Sequence, residues 1–222
     1  MADEHIPRIA VLASGGGSNL QSLIDHFRDV APDAGRVVWV GANRADAGAL
    51  ARAQKVGIAA GVVSDPDDGI TLLRALHGAR ADLLVLAGYL KRVPPDVVHA
   101  FHGRLLNVHP ALLPSFGGAG MYGMHVHTAV IAAGAALSGV TVHFVDAEYD
   151  RGAIVAQWPV SVHTDDTPAL LADRVLSVEH RLLPLCVESV ARGQLFLGAD
   201  GRVHGRPSAL QPDFAALLPA RS

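Results

Sequence analysis

The chain has 222 residues, a formal net charge of -3 and no basic run, which argues against nucleic acid as a principal partner. Half of the residues are hydrophobic and only 5% aromatic, so one large domain with an aliphatic core is expected. No apolar run is long enough to span a bilayer, the N-terminus lacks a signal-peptide pattern, and Cys186 is the only cysteine; the expectation is a cytoplasmic protein in a reducing setting.

The elements follow in chain order. RIAVLAS (8–14) reads as a short buried strand ending at Gly15-Gly16-Gly17. SNLQSLIDHFRDV sets Leu20, Ile24 and Phe27 at helical spacing. RVVWVGAN (36–43) reads as a strand, DAGALARAQKVG (46–57) as a helix closed by a glycine, IAAGVV as a weaker strand and ITLLRALHGA (70–79) as a short helix. DLLVLAG (82–88) is the continuous apolar run of a strand buried on both faces. PPDVVHAF (94–101) carries proline in a first helical turn, and RLLNV is the next strand.

This alternation predicts βαβ units: an α/β domain with an open, mostly parallel, doubly wound sheet and a Rossmann-like N-terminal half. From about residue 137 the pattern changes. LSGVTVHFVD and AIVAQWPVSVH read as two strands joined by the polar AEYDRG. A long helix (167–193) follows, with Pro184 as the expected kink, then a hairpin at GADGR and a loose end. The glycine-rich FGGAGMYGMH (116–125) reads as a mobile loop.

Several motifs carry chemistry. SGGGSNL (14–20) joins the first strand to the first helix, where glycines let a ligand approach and free N–H groups favour phosphate. It is not a dinucleotide fingerprint, because Leu20 stands at the third glycine position, and it is neither a P-loop nor a nucleophile elbow. The competing reading is a tight turn capped by Ser18 or Asn19.

Asn107 and His109 share a strand face at the carboxyl end of a buried strand, where open α/β sheets bind ligands. Together they can hold a developing oxyanion, or simply tie down the following loop. HVH (125–127) lacks further ligands at metal-binding spacing. His143 reads as a satisfied core histidine. DAEYDRG (146–152) reads as a solvated turn, unless one carboxylate swings beside His109 and favours its charged form. Glu179 lies mid-helix, facing either water or a ligand.

Six ordered segments carry a resemblance over about residues 8–195: LASGGGSNLQSLID, NRADAGALARAQKVGI, DLLVLAGYLKRVP, GRLLNVHPALLPSF, GVTVHFVDAEYDRGAIVAQWPV and RVLSVEHRLLPL. Together they resemble the folate-dependent phosphoribosylglycinamide formyltransferases. The resemblance implies a formyltransferase fold and transfer of the formyl group of 10-formyltetrahydrofolate, a co-substrate, to the amine of glycinamide ribonucleotide in purine synthesis. It implies Asn107, His109 and Asp150 as the catalytic trio, with Asp150 keeping His109 charged. Gly17, Ser18, Asn19 and Glu179 would hold the ribonucleotide, and Leu90, Lys91, Arg92, Val93 and Asn107 the folate.

No metal is expected, no membrane, and nothing in the sequence excludes a homodimer. The implied organisation is a formyltransferase domain over 1–200, with a ribonucleotide-binding half (8–100) and a catalytic, folate-binding half (101–195), then a tail (201–222).

The chain departs from the family pattern at Lys91, where the better-known bacterial form has arginine. Segment 63–81 is shorter than usual and leaves only Arg74 as candidate for an expected basic residue; loop 116–124 is longer. Rival readings are a formyltetrahydrofolate hydrolase, expected to carry an extra N-terminal domain, and a methionyl-tRNA formyltransferase, expected to carry a basic C-terminal one. A sugar-nucleotide formyltransferase is not expected to have GGGSNL after its first strand. A catalytically silent nucleotide-binding module is opposed by the intact trio.

Overall fold

The computed structural model describes residues 5–205 and 210. Seven strands form one sheet in the order β3-β2-β1-β4-β5-β6-β7. They are β1 (Arg8–Ala13), β2 (Arg36–Ala42), β3 (Ala59–Val62), β4 (Leu83–Leu86), β5 (Leu105–His109), β6 (Leu137–Phe144) and β7 (Ile154–Ser161). The first five pair in parallel, while β6 runs antiparallel to both β5 and β7.

The sequence period explains the two-sided core. Alternate β1 side chains leave opposite faces of the sheet. Ile9, Val11 and Ala13 join one apolar cluster, with Leu20 and Leu23 of α1 (Ser18–Asp25) and Leu171 and Val175 of α6 (Pro168–Ala191). Ala10 and Leu12 join the other, with Leu72 and Leu76 of α3 (Gly69–Gly78) and Val97 of α4 (Pro95–Ala100). Asp68 caps α3 by accepting from Thr71 N, and Thr167 caps α6 by accepting from Leu170 N. α2 (Gly48–Lys55) buries Ala49, Leu50 and Ala53.

Strand order reverses between β1 and β4, and the carboxyl ends of these strands open the crevice where such sheets take ligands. A local staple fixes that edge. Ser14 N donates to Gly88 O at 3.0 Å, and Leu90 N donates to Ser14 Oγ at 2.8 Å. The glycine turn after β1 and the Gly88–Val93 segment after β4 are thereby held side by side.

Four details differ from the expectations. Residues 124–132 form a helix, α5 (Met124–Ala132), where only a glycine-rich loop and a histidine pair were legible. Its apolar residues do not fall in one stripe, and its polar His127 is buried beside Val126 and Val130. The helix after the glycine turn changes to π-helical at His26–Val30. α6 continues as one helix through buried Pro184, with no break at the expected kink. A hairpin of β8 (Phe196–Leu197) and β9 (Val203–His204) crosses the expected tail boundary at 200, and Leu210 is buried in the larger core cluster. The rest of the expected tail, 206–209 and 211–222, lies outside the described residues.

Gly152 fixes the path of the turn that carries Asp150. A Cβ added there would lie 1.8 Å from Phe144 O, a backbone atom that cannot swing aside. Gly152→Ala is expected to destabilise the fold by about 1–3 kcal/mol, a fall of several degrees in Tm. Gly78→Ala, at an exposed helical position where nothing lies within 4 Å of the added carbon, is the control and should leave Tm unchanged or raise it slightly.

Candidate active site

A cavity of about 760 Å³ opens at the carboxyl ends of β1, β4 and β5. Its walls include Leu90, Lys91, Arg92 and Val93 from the segment after β4, Asn107 and His109 from β5, and Asp150 from the turn before β7. Asn19 and Glu179 line it from α1 and α6. Every residue expected from the sequence to bind folate or to carry chemistry therefore meets one space. Gly17 and Ser18 are not among its walls; Gly17 is buried, and a Cβ added to it would meet Ala49 of α2 at 2.8 Å.

Strand pleat brings Asn107 and His109 together, as expected for residues two apart. Antiparallel β6 adds a third group. Asn107 pairs with His143 in the β5–β6 register, and Asn107 Nδ2 lies 3.1 Å from His143 Nε2. His143 Nδ1 lies 2.8 Å from Phe144 O, and a carbonyl only accepts, so Nδ1 carries the proton. Nε2 is then the acceptor for the Asn107 amide, and His143 aims that amide. The strand-core reading of His143 holds for its burial but misses this role. The missing signal was the β5–β6 register, which a sequence does not print.

Asp150 sits beneath both imidazoles. Its Oδ2 is 3.6 Å from His109 Nδ1 and its Oδ1 is 3.7 Å from His143 Nε2. Gly118 N donates to Oδ2 at 2.9 Å. The turn is exposed from Asp146 to Tyr149, as its polar sequence suggests, but the Asp150 side chain is turned inward and only 12% exposed, with its backbone left-handed at φ 55°. A β-turn loop closing over packed histidines buries the acid despite its polar neighbours. Burial pushes the Asp150 carboxyl up, but the His143 side chain, the Gly118 N–H and the charge His109 carries when protonated outweigh it and hold it below the ordinary range.

His109 differs from expectation. Burial lowers its pKa, and this outweighs the opposing pull of the Asp150 carboxylate and the Phe116 carbonyl; His143 lowers it further. His109 Nε2 lies 2.8 Å from Phe116 O, so Nε2 carries a proton in the neutral ring. Burial thus favours the neutral imidazole, whereas the resemblance implied a charged one. The physical reason is that a side chain with 4% exposure loses more hydration than one carboxylate 3.6 Å away restores.

The opposite end of the cavity carries Glu179. Asn19 Nδ2 donates to Glu179 Oε2 at 2.5 Å, joining α1 to α6. Burial pushes the Glu179 carboxyl up to about 7, against the Asn19 hydrogen bond, which lowers it. Asn19 Oδ1 is buried without a partner among the described residues, a free acceptor next to a costly acid. Arg74, the weak candidate for a basic ligand residue, is not in the cavity wall. Arg92 is, and its guanidinium donates to Ala147 O at 3.0 Å and lies 5.7 Å from the Tyr149 ring centroid. Among the described residues no group of three or more His, Cys, Asp or Glu could hold a metal ion.

An amide, two imidazoles and a carboxylate around one cavity can stabilise an oxyanion and move protons, without a side-chain nucleophile. Residues 7–187 match the family described as formyl transferase. The chain belongs to the formyl transferase family. It is 42% identical over 207 residues to the chloroplastic phosphoribosylglycinamide formyltransferase of Arabidopsis thaliana, covering 89% of this chain and 70% of that one. It is 40% identical to the chloroplastic enzyme of the same name from Vigna unguiculata, over 87% of this chain and 64% of that protein. The crystal structure of phosphoribosylglycinamide formyltransferase from Anaplasma phagocytophilum superposes with a TM-score of 0.84 at 33% identity, covering 94% of this chain and all of that one. The chain is thus recognised with the phosphoribosylglycinamide formyltransferases within the family, and its sheet is theirs.

Two outcomes test the electrostatics of this family member. Asp150→Asn removes the charge that opposes burial, so the His109 pKa should fall further, and NMR titration of the imidazole reads the shift directly. An unchanged His109 pKa would remove the electrostatic role of Asp150. Glu179, with its folded pKa of about 7 above the ordinary carboxyl value, binds more protons folded than unfolded. Its contribution to stability is therefore lost as pH rises from about 4.5 to 7, by at most about 3 kcal/mol. Glu179→Gln should raise Tm at pH 8 and change it less at pH 5; equal effects at both pH values would contradict a raised pKa.

Proposed function

We propose that this chain transfers the formyl group of 10-formyltetrahydrofolate to the amine of glycinamide ribonucleotide, a step of purine synthesis. The observation that carries the reading is the single cavity shared by Asn107, His109 and Asp150 and by the Asn19–Glu179 pair. A donor and an acceptor substrate have to meet at the reacting carbon, and this cavity has room and polar groups for both. The names of the curated relatives and of the superposed crystal structure point to the same reaction.

The amine lone pair of the ribonucleotide attacks the formyl carbon, a C–N bond forms, and the carbonyl oxygen becomes an oxyanion. Asn107, held by His143, donates to that oxygen. His109 shuttles a proton: the attacking amine must lose one, and the departing folate nitrogen must gain one. Asp150 stabilises the imidazolium that appears during this exchange. Loss of one oxyanion donor typically slows such reactions by about 100- to 1000-fold.

The glycine turn with Gly17, Ser18 and Asn19 takes the ribonucleotide phosphate at the N-terminus of α1. No side chain caps that turn, so its first N–H groups stay available. Glu179 binds the same substrate, and an amine or hydroxyl arriving there would offset the cost of its burial. The Leu90–Val93 segment and Asn107 hold the folate. The ribonucleotide half (8–100) and the folate half (101–195) meet at one cavity and exchange parts there: the first lends Leu90–Val93 to the folate, and the second lends Glu179, hydrogen-bonded to Asn19, to the ribonucleotide. The catalytic unit in this reading extends past the expected boundary at 200, since the β8–β9 hairpin crosses it and Leu210 packs in the core. The setting is cytoplasmic; no described helix is long and apolar enough to cross a membrane.

The test is turnover of purified chain with both substrates, followed as formyl-glycinamide ribonucleotide. Asn107→Ala should cost about 100-fold or more in kcat and leave the shape of the pH–rate profile intact. His109→Asn should lower the rate and abolish the limb due to imidazole titration. Near-parental turnover in His109→Asn would sink this mechanism and return attention to His143.

A further inference from the structure

Arg52 of α2 stands behind the glycine turn and outside the cavity wall. Its Nε donates to Gly16 O at 2.7 Å, and its Nη1 donates to Gln21 Oε1 at 3.1 Å. Gln21 Nε2 in turn donates to Asp25 Oδ1 at 3.0 Å. One residue earlier, the backbone N–H of Ala49 donates to Gly15 O at 3.2 Å. The two successive carbonyls, Gly15 and Gly16, are therefore both pulled toward α2.

A trans peptide is planar, with its C=O and the following N–H pointing in opposite directions. Drawing Gly15 O and Gly16 O toward α2 turns the Gly16 and Gly17 N–H groups away from it. Neither N–H has a partner among the described residues. They add to the free first-turn N–H groups of α1, whose hydrogen-bond ladder begins with Gln21 N donating to Gly17 O at 2.9 Å. The turn has no slack on its α2 side. A Cβ on Gly17 would lie 2.8 Å from Ala49 Cα, one on Gly48 would lie 3.1 Å from Gly16 O, and Gly17 itself is left-handed at φ 75°.

We propose that Arg52 is a positioning residue for phosphate. It holds the Gly16–Gly17 peptide in the one orientation that presents the Gly17 N–H to the ribonucleotide phosphate, and Gln21 holds Arg52. The inference rests on the reading of this turn as the phosphate site. It goes further in naming a residue on another helix that touches no substrate and yet sets the affinity for one of them.

The experiment compares Arg52→Met and Arg52→Lys with the parent on glycinamide ribonucleotide and on the ribonucleoside that lacks the phosphate. Arg52→Met should raise KM for the ribonucleotide about tenfold, with kcat and KM for the formyl donor within about twofold. Activity on the ribonucleoside should not change. Arg52→Lys restores the charge without the two-armed grip on Gly16 and Gln21, and should recover only part of the loss. In parallel, inorganic phosphate titrated into labelled protein should shift the Gly17 amide resonance in the parent, and at about tenfold higher concentration in Arg52→Met. Equal losses on ribonucleotide and ribonucleoside would mean that Arg52 only supports the fold, and full recovery by lysine would mean that charge alone acts; either overturns the proposal. If phosphate shifts no turn amide in the parent, and ribonucleotide and ribonucleoside are used equally, the phosphate reading itself fails and takes this inference with it.

Discussion

One carboxylate facing two buried imidazoles is the constraint around which the catalytic end is arranged. Asp150 lies within 3.7 Å of both His109 and His143, and none of the three side chains is more than 12% exposed. An ionised acid in such a place costs several kcal/mol unless its charge is answered. Here the Gly118 N–H of the loop between β5 and β6 donates to it directly, and the imidazoles on those two strands stand where a proton taken up by either ring would answer the charge. The antiparallel turn-back of β6 onto β5 is what makes this possible. In an all-parallel sheet the strand next to β5 would arrive by a crossover, and its register would not set His143 directly across from Asn107.

The same arrangement explains why glycines crowd the approach. Gly117 has no room for a side chain, since an added Cβ would meet Leu113 at 2.4 Å and Asp150 at 3.3 Å. Gly152 has none against Phe144 O. The loop and the turn close on each other through backbone, which lets Gly118 N reach the carboxylate. Polarity of sequence was therefore a sound guide to the exposure of Asp146 to Tyr149 and a poor one to that of Asp150. What buried Asp150 was the close approach of glycines more than 30 residues away, a tertiary fact with no local signature.

Much else was legible because it is local. β1 and β4 are continuous apolar runs, buried on both faces, and their flanking helices carry clean stripes; periodicity alone placed them. The pairing of Asn107 and His109 followed from strand pleat. α5 was not legible, since its nine residues carry histidines on a buried face and hardly any amphipathic contrast. The neutral state of His109 was not legible either. A neighbouring acid can be inferred from a motif, but the hydration an imidazole loses depends on everything packed around it, and here that loss wins.

A neutral His109 whose Nε2 proton is held by Phe116 O has a consequence for how the site must work. The ring has two nitrogens, one bound to the loop carbonyl and one facing Asp150. To donate from Nε2 to a reacting oxygen or nitrogen, it has to give up Phe116 O, and a buried carbonyl left without a donor costs about 1–3 kcal/mol. To accept a proton it has only Nδ1, where the new charge lies directly opposite the carboxylate. Phe116 itself is left-handed at φ 54°, and Gly117 to Gly123 follow with three further positive-φ glycines, a stretch of backbone with more than one accessible path. Donation from Nε2 to a reacting atom therefore competes with the Phe116 carbonyl for one proton.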